Sequence, residues 1–210
     1  MSPTSIAGLL TSPDAPTYEW LWQHYQWLHT HPELSLKEEH TADYIADVLS
    51  QFDCEVTRGI GGHGMVAVFR NGEGPTALMR ADFDALPVAE ETGAAFASEN
   101  PGVMHACGHD VHVTALLGAC KLIDAFRERW SGTFIALFQP AEEITRGASM
   151  MVEDGLGSLI PKPDVCFSQH ILPGPAGTVY TMPGPAAAAC DTLTILSLIH
   201  ISEPTRLLSI

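Results

Sequence analysis

Apolar positions recur along this chain with two periods, one helical and one extended. From Tyr18 to Thr30, residues Trp20, Tyr25, Trp27 and Leu28 share one broad helical stripe, and Pro32 ends it. Ser35-Leu36-Lys37-Glu38 has the pattern of a capping box. It opens a second predicted helix, in which Tyr44, Ile45, Val48, Leu49 and Phe52 recur at helical spacing. Gly59 to Gly64 reads as a flexible turn. Met65–Arg70 is a short apolar strand, followed by Asn71-Gly72 as a hairpin-type turn. Thr76–Arg80 is a second strand that runs into Ala81-Asp82-Phe83-Asp84. Val113–Trp130 is a strong helix with Leu116, Leu117, Cys120, Ile123 and Ala125 in its apolar set. Thr133–Phe138 is almost continuously apolar, as a buried strand is. Gly147–Glu153 is a short helix, Asp164–Ser168 another buried strand, and Thr178–Thr181 an edge strand. Strands alternating with helices predict an α/β fold, a three-layer sandwich around a mostly parallel sheet.

Composition narrows the functional classes. The chain has 210 residues, enough for one α/β domain or slightly more, and 46% are hydrophobic against 17% charged, which is globular. Its formal charge of −15 repels phosphate backbones, so nucleic acid is not an expected partner. No apolar run has the length of a membrane span, and the start of the chain lacks the basic region of a signal peptide. Cys54, Cys107, Cys120, Cys166 and Cys190 are scattered and odd in number, which fits unpaired thiols in a reducing cytoplasm. Histidine is as frequent as lysine and arginine together, at 10 residues each, and that directs attention to metal ligands.

The densest chemistry is His105-Ala106-Cys107-Gly108-His109-Asp110-Val111-His112, just before the strong helix. In an extended segment residues two apart point the same way, so Cys107 and His109 can grip one ion across Gly108. Thiolate and imidazole suit zinc and other late divalent metals. Asp110 can cap the helix or hold a ligating imidazole. A structural loop with a buried cysteine, or a cysteine nucleophile beside a histidine base, are the competing accounts. Phe138-Gln139-Pro140-Ala141-Glu142-Glu143 follows the buried strand, where α/β active sites lie. Of two adjacent acids, one can ligate metal while the other faces substrate as a base; an acidic helix start favoured by the dipole is the competing account, and for a Glu-Glu pair taken alone the readier one. Asp82 and Asp84 share one face of a strand end, and His170 ends another strand.

Four motifs in order carry a resemblance: His29-Thr30-His31-Pro32-Glu33-Leu34-Ser35, Arg80-Ala81-Asp82-Phe83-Asp84-Ala85-Leu86-Pro87, His105 to Asp110, and Phe138 to Glu143. Together they resemble the metal-dependent amidohydrolases that include hippurate hydrolase, bacterial N-acyl-amino-acid amidohydrolases and plant auxin-conjugate hydrolases. These are relatives of aminoacylase and of zinc carboxypeptidases with a dinuclear site. The resemblance covers roughly residues 20 to 194. It implies two divalent metal ions, manganese or zinc, held by Cys107, His109, Glu143 and His170, with Glu142 as general base. Asp82 and Asp84 are implied to support those ligands. The implied substrate is a small N-acyl amino acid or related conjugate. A dipeptidase or carboxypeptidase of the same superfamily, and a metal-binding fragment without turnover, are the alternatives. His63 in its glycine-rich loop is expected to be exposed.

The resemblance also implies organisation. Residues 1–16 are expected to be a flexible leader and 17–194 the N-terminal part of a catalytic domain. A lid domain, through which the full-length protein would form a homodimer, is expected to be absent, together with a late ligand histidine. Residues 195–210 are expected to be a non-native tail. The stretch Leu196–Arg206 resembles the translation of a transposon end used in sequencing libraries, and one codon choice reproduces it residue for residue.

Overall fold

The computed structural model describes residues 6–181, 183 and 184. The chain divides into two units, residues 1–172 and 173–210. The first contains every helix and strand described below.

In chain order, the elements are α1 (Ile6–Leu10), α2 (Tyr18–Thr30), α3 (Glu39–Leu49), β1 (Glu55–Ile60), β2 (Gly64–Asn71), β3 (Thr76–Asp82), α4 (His109–Ala125), β4 (Gly132–Gln139), α5 (Gly147–Glu153), α6 (Leu156–Leu159) and β5 (Val165–Ser168). A single 3-10 turn, Arg127–Arg129, follows α4, so the helix expected to reach Trp130 stops at Ala125. Within the expected leader, α1 forms a short turn of helix and Ala15 is buried.

The five strands lie in the order β1-β2-β4-β3-β5. β3 pairs in parallel with both β4 and β5, whereas β2 pairs antiparallel with β1 and β4. The sheet is therefore mixed, and the expectation of a mostly parallel sheet is corrected. β1 escaped the sequence pattern because only one of its residues is buried and they carry no clean alternation. The turn at Asn71-Gly72 exists, with Gly72 at φ +75°, but it makes no hairpin. β4 inserts between β2 and β3 and takes both pairings. The actual hairpin is β1–β2, closed at Ile60 and Gly64.

Helices cover both faces of the sheet, which gives the three layers expected. On one face Leu28 of α2, Ile45, Val48 and Leu49 of α3, and Val113, Leu116 and Leu117 of α4 pack on Met65, Ala67, Phe69, Ala81, Ala136 and Phe138. On the other, Val66, Val68, Leu78, Ile135 and Leu137 meet Met151 of α5, with Leu156 and Ile160 beside them. Phe69, Phe83 and Phe138 are fully buried, each contributing about 1.5–3 kcal/mol of hydrophobic stabilisation. β5 differs from expectation: all four of its residues are exposed, Phe167 by 55%.

The capping-box reading of Ser35-Leu36-Lys37-Glu38 is also corrected. No side chain of that box caps α3. The carboxylate of Glu33 does so instead, accepting from Thr41 N at 2.7 Å and His40 N at 3.3 Å. An acid suits that position because the helix N-terminus is partially positive.

The second unit is described only for residues 173–181, 183 and 184. It is irregular, with Thr178 N donating to Pro175 O at 3.2 Å, and the edge strand expected at Thr178–Thr181 is not formed. Residues 185–194, Cys190 and the expected tail 195–210 lie outside the described residues.

Candidate metal centre

The parallel register aligns the carboxyl ends of three strands. Asp82 of β3 stands beside Gln139 of β4, and Arg80 of β3 beside Ser168 of β5. Just beyond these ends lie Asp84, Glu142, Glu143 and His170, and α4 brings its first residue, His109, to the same place. Strand order reverses at β3, with β4 on one side and β5 on the other, which is where α/β sheets open a crevice.

His109 is the hub. It is fully buried, and its Nδ1–H donates to the backbone carbonyl of Asp84 at 2.9 Å. That bond leaves Nε2 as a lone pair aimed inward, and Nε2 has no hydrogen-bond partner. Around it stand Asp82 Oδ2 at 3.6 Å and one oxygen each of Glu142 and Glu143 at 3.8 Å. Cys107, His109 and His170 form a second converging group, with Cys107 Sγ 3.4 Å from His170 Nε2. Ligands sharing one ion at metal–ligand distances of 2.0–2.3 Å stand roughly 3.3–3.8 Å apart in tetrahedral geometry. The spacings fit that range. A buried, unpartnered imidazole nitrogen facing carboxylates and a thiol is a donor set suited to a divalent cation.

Local backbone explains the convergence. Gly108 adopts φ +82°, a left-handed conformation, and a Cβ there would lie 2.2 Å from Ile171 Cδ1. The sharp bend turns Cys107 and His109 toward one point although they are not in an extended segment. Ala141 also has positive φ, at +49°, and its turn swings Glu142 and Glu143 back over the strand end.

The remaining residues of the cysteine–histidine cluster separate into supporting roles. His112 Nε2 accepts from Ile171 N at 3.1 Å, so its proton sits on Nδ1, which donates to Asp82 Oδ1 at 2.6 Å. This chain ties the His170–Ile171 segment to β3. Asp82 Oδ2 is 2.6 Å from Arg80, an ion pair outside hydrogen-bond angles. Asp110 accepts from His29 at 2.6 Å, and the other nitrogen of His29 faces Glu90 at 3.2 Å. The Asp110 bond raises the His29 pKa against the opposing effect of burial. His29 thus bridges the start of α4 and the loop carrying Glu90, which also accepts from Thr92 and from Ser98 N. His105 is buried with both nitrogens unpartnered, and burial lowers its pKa to about 4. His63 is half-buried rather than exposed.

The electrostatics are those of a cation site. Burial raises the Cys107 pKa to about 11, reinforced by Glu143, Glu142 and Asp82. Burial likewise raises that of Glu143, partly offset by His109. Burial opposes protonation of His109, but Asp84, Asp82 and Glu143 outweigh it and raise its pKa. Negative charge crowded around a thiol is what a bound divalent ion would relieve.

The fold and this constellation define an α/β domain with a candidate metal centre at the carboxyl ends of its strands. The chain belongs to peptidase family M20/M25/M40, whose model matches residues 78–206. It is 41% identical over 174 residues to the N-acyl-L-amino acid amidohydrolase of Geobacillus stearothermophilus, covering 80% of this chain and 45% of that protein. It is 39% identical over 183 residues to thermostable carboxypeptidase 1 of Saccharolobus solfataricus, covering 85% and 46%. The solved YXEP protein of Bacillus subtilis, described as a dinuclear metal-binding peptidase of the M20 family, superposes with a TM-score of 0.68 at 34% identity. That match covers 80% of this chain and 45% of that one. The chain spans less than half the length of these relatives. No helix among the described residues is long and apolar enough to cross a membrane.

Proposed function

We propose that this chain carries part of the active site of a metal-dependent hydrolase that cleaves the amide bond of N-acyl amino acids or related small conjugates. The observation that carries the reading is the buried, unpartnered His109 Nε2 with carboxylates at 3.6–3.8 Å and the Cys107–His170 pair beside it. Cys107, His109, Glu143 and His170 would hold the metal, with zinc or manganese as candidates. When bound, a pair of divalent cations supplies Lewis acidity that acidifies water and polarises an amide carbonyl.

The chain's own residues supply the rest. Glu142 has a partly exposed side chain, 39%, so it can reach a substrate, whereas Glu143 is more enclosed at 17%. Glu142 is the general base: it accepts the proton of the attacking water and returns it to the departing amine. Asp84 fixes the tautomer of His109 through its carbonyl and holds Glu143 by accepting from its backbone N at 3.0 Å. Two relatives support the substrate class. An N-acyl-L-amino acid amidohydrolase and a carboxypeptidase both cut an amide whose nitrogen belongs to an amino acid with a free carboxylate.

Metal analysis tests the assignment. Glu143→Ala should lose most bound zinc or manganese, and Glu142→Ala should retain it while, in a form with turnover, losing about 10²–10⁴-fold in rate. Equal metal loss in both variants would show that the pair is wrongly divided.

A further inference from the structure

Glu38 lies 103 residues before the turn that carries the acid pair, yet its side chain touches that turn directly. Its carboxyl is fully buried, and Oε1 accepts from Ala141 N at 2.8 Å. Ala141 is itself buried and holds φ +49°, a conformation that a residue with a Cβ rarely adopts. Glu142 and Glu143 follow immediately, so the direction of both carboxylates depends on that one backbone conformation. The turn has two further restraints: Arg146 N and Gly147 N both donate to Ala141 O, at 3.1 and 3.0 Å. Its amide, however, has only Glu38.

Ser35, one turn earlier, makes a parallel contact. Its hydroxyl donates to Asp84 Oδ2 at 2.6 Å, the same oxygen that accepts from Glu143 N. Leu34 also forms a bridge with Ala85. The segment before α3 thus reaches both loops of the site, and the side chains of Ser35 and Glu38 do not cap the helix that they precede.

We propose that Glu38 is a positioning residue: its buried carboxyl clamps the Ala141 amide, holds the left-handed turn, and thereby aims Glu142 and Glu143 at the metal centre. The inference rests on the reading of those two acids as site residues. The clamp itself is a matter of backbone geometry and can be measured without metal. Removing the acceptor leaves a buried N–H without a partner, and the turn then relaxes toward ordinary negative φ. Loss of such a supporting contact typically weakens metal binding by about 10–100-fold.

The test uses the whole chain and four variants: Glu38→Ala, Glu38→Asp, Glu38→Gln, and Glu38→Ala combined with Ala141→Gly. Hydrogen exchange is followed at the Ala141 amide and, for comparison, in β2 and α4, and zinc affinity is titrated in parallel. Glu38→Ala should speed exchange at Ala141 by about tenfold or more while β2 and α4 stay protected, and should lower zinc affinity. Glu38→Asp, one methylene short, should behave the same way and carries the test if the alanine variant does not fold. Glu38→Gln keeps a carbonyl acceptor and should restore both readouts. Added Ala141→Gly should recover part of the lost affinity, because glycine holds positive φ without the clamp. Unchanged exchange at Ala141 in both the Ala and Asp variants would overturn the proposal. So would failure of Gln to rescue, which would make charge rather than the hydrogen bond the operative feature. If the unmodified chain bound no zinc, the exchange data would still decide the clamp, and only the metal-centre reading would fall.

Discussion

Alkylation of Cys107 by iodoacetamide is expected to be slow in the metal-free chain and blocked by a bound divalent cation. Burial, followed by the charges of Glu143, Glu142 and Asp82, raises this thiol to about 11 from an ordinary 9. At pH 8 a thiol at about 11 is thiolate in roughly one molecule in 10³, whereas an ordinary cysteine at 9 is so in about one in ten. Because the thiolate is the nucleophile, Cys107 should react on the order of 10²-fold more slowly than an unhindered thiol. Peptide mapping after timed alkylation measures this, with exposed Cys166 as the reference in the same molecule. Glu143→Gln removes the largest charge acting on the thiol and should speed the reaction. Zinc must displace the Cys107 proton on binding, so below the thiol pKa its affinity should rise about tenfold per pH unit. Calorimetry in buffers of different ionisation enthalpy should count close to one proton released through this residue. Cys54 is a second control, since burial raises it to about 11 at a distance from the site. Its slow alkylation should not respond to metal. If Cys107 reacts as fast as Cys166 without metal, or if saturating zinc leaves its rate unchanged, the electrostatic account of the site is wrong.

Three further outcomes follow from the same geometry. Asp82 has a pKa lowered to about 2 from 3.8: burial opposes the shift, but His112, His109 and Arg80 more than compensate. A depressed carboxylate stabilises above its unfolded pKa and loses that contribution as pH falls through the folded value. Native protein should therefore lose about 2 kcal/mol between pH 4 and 2 that Asp82→Asn does not show, as measured by urea denaturation. Gly147→Ala would place a Cβ 1.6 Å from Pro140 O, so α5 must shift off the acid-bearing turn. About 1–3 kcal/mol of stability and most of the metal affinity should be lost, read by thermal unfolding and zinc titration. Gly108→Ala meets both a left-handed φ of +82° and the Ile171 side chain, and should cost at least about 1–2 kcal/mol. Its metal affinity should fall because the displaced segment carries His170; an unaffected affinity would separate His170 from the site.

Much of the candidate site was legible because its residues cluster in sequence at strand ends. Cys107 with His109, Glu142 with Glu143, and His170 at the end of β5 each mark a place where a strand or helix meets a loop, and folding brings those places together. The elements with strong periodicity were legible for the same local reason: α2, α5, β2 and β4 fall within a residue or two of their expected bounds. What was not legible is what depends on distant partners. β1 has little apolar signal of its own and becomes a strand only by pairing with β2. The turn after β2 looks like a hairpin locally, and only the insertion of β4 decides otherwise. Ser35 and Glu38 have the spacing of a capping box, and nothing nearby in the sequence says that their partners are Asp84 and Ala141. The same holds for His29, whose two partners lie 61 and 81 residues away. The candidate ligands were visible by chemical type and spacing. The residues that aim them are ordinary polar side chains whose roles are set by long-range contact. Their removal should therefore alter metal affinity and local exchange while Cys107, His109, Glu143 and His170 stay in place.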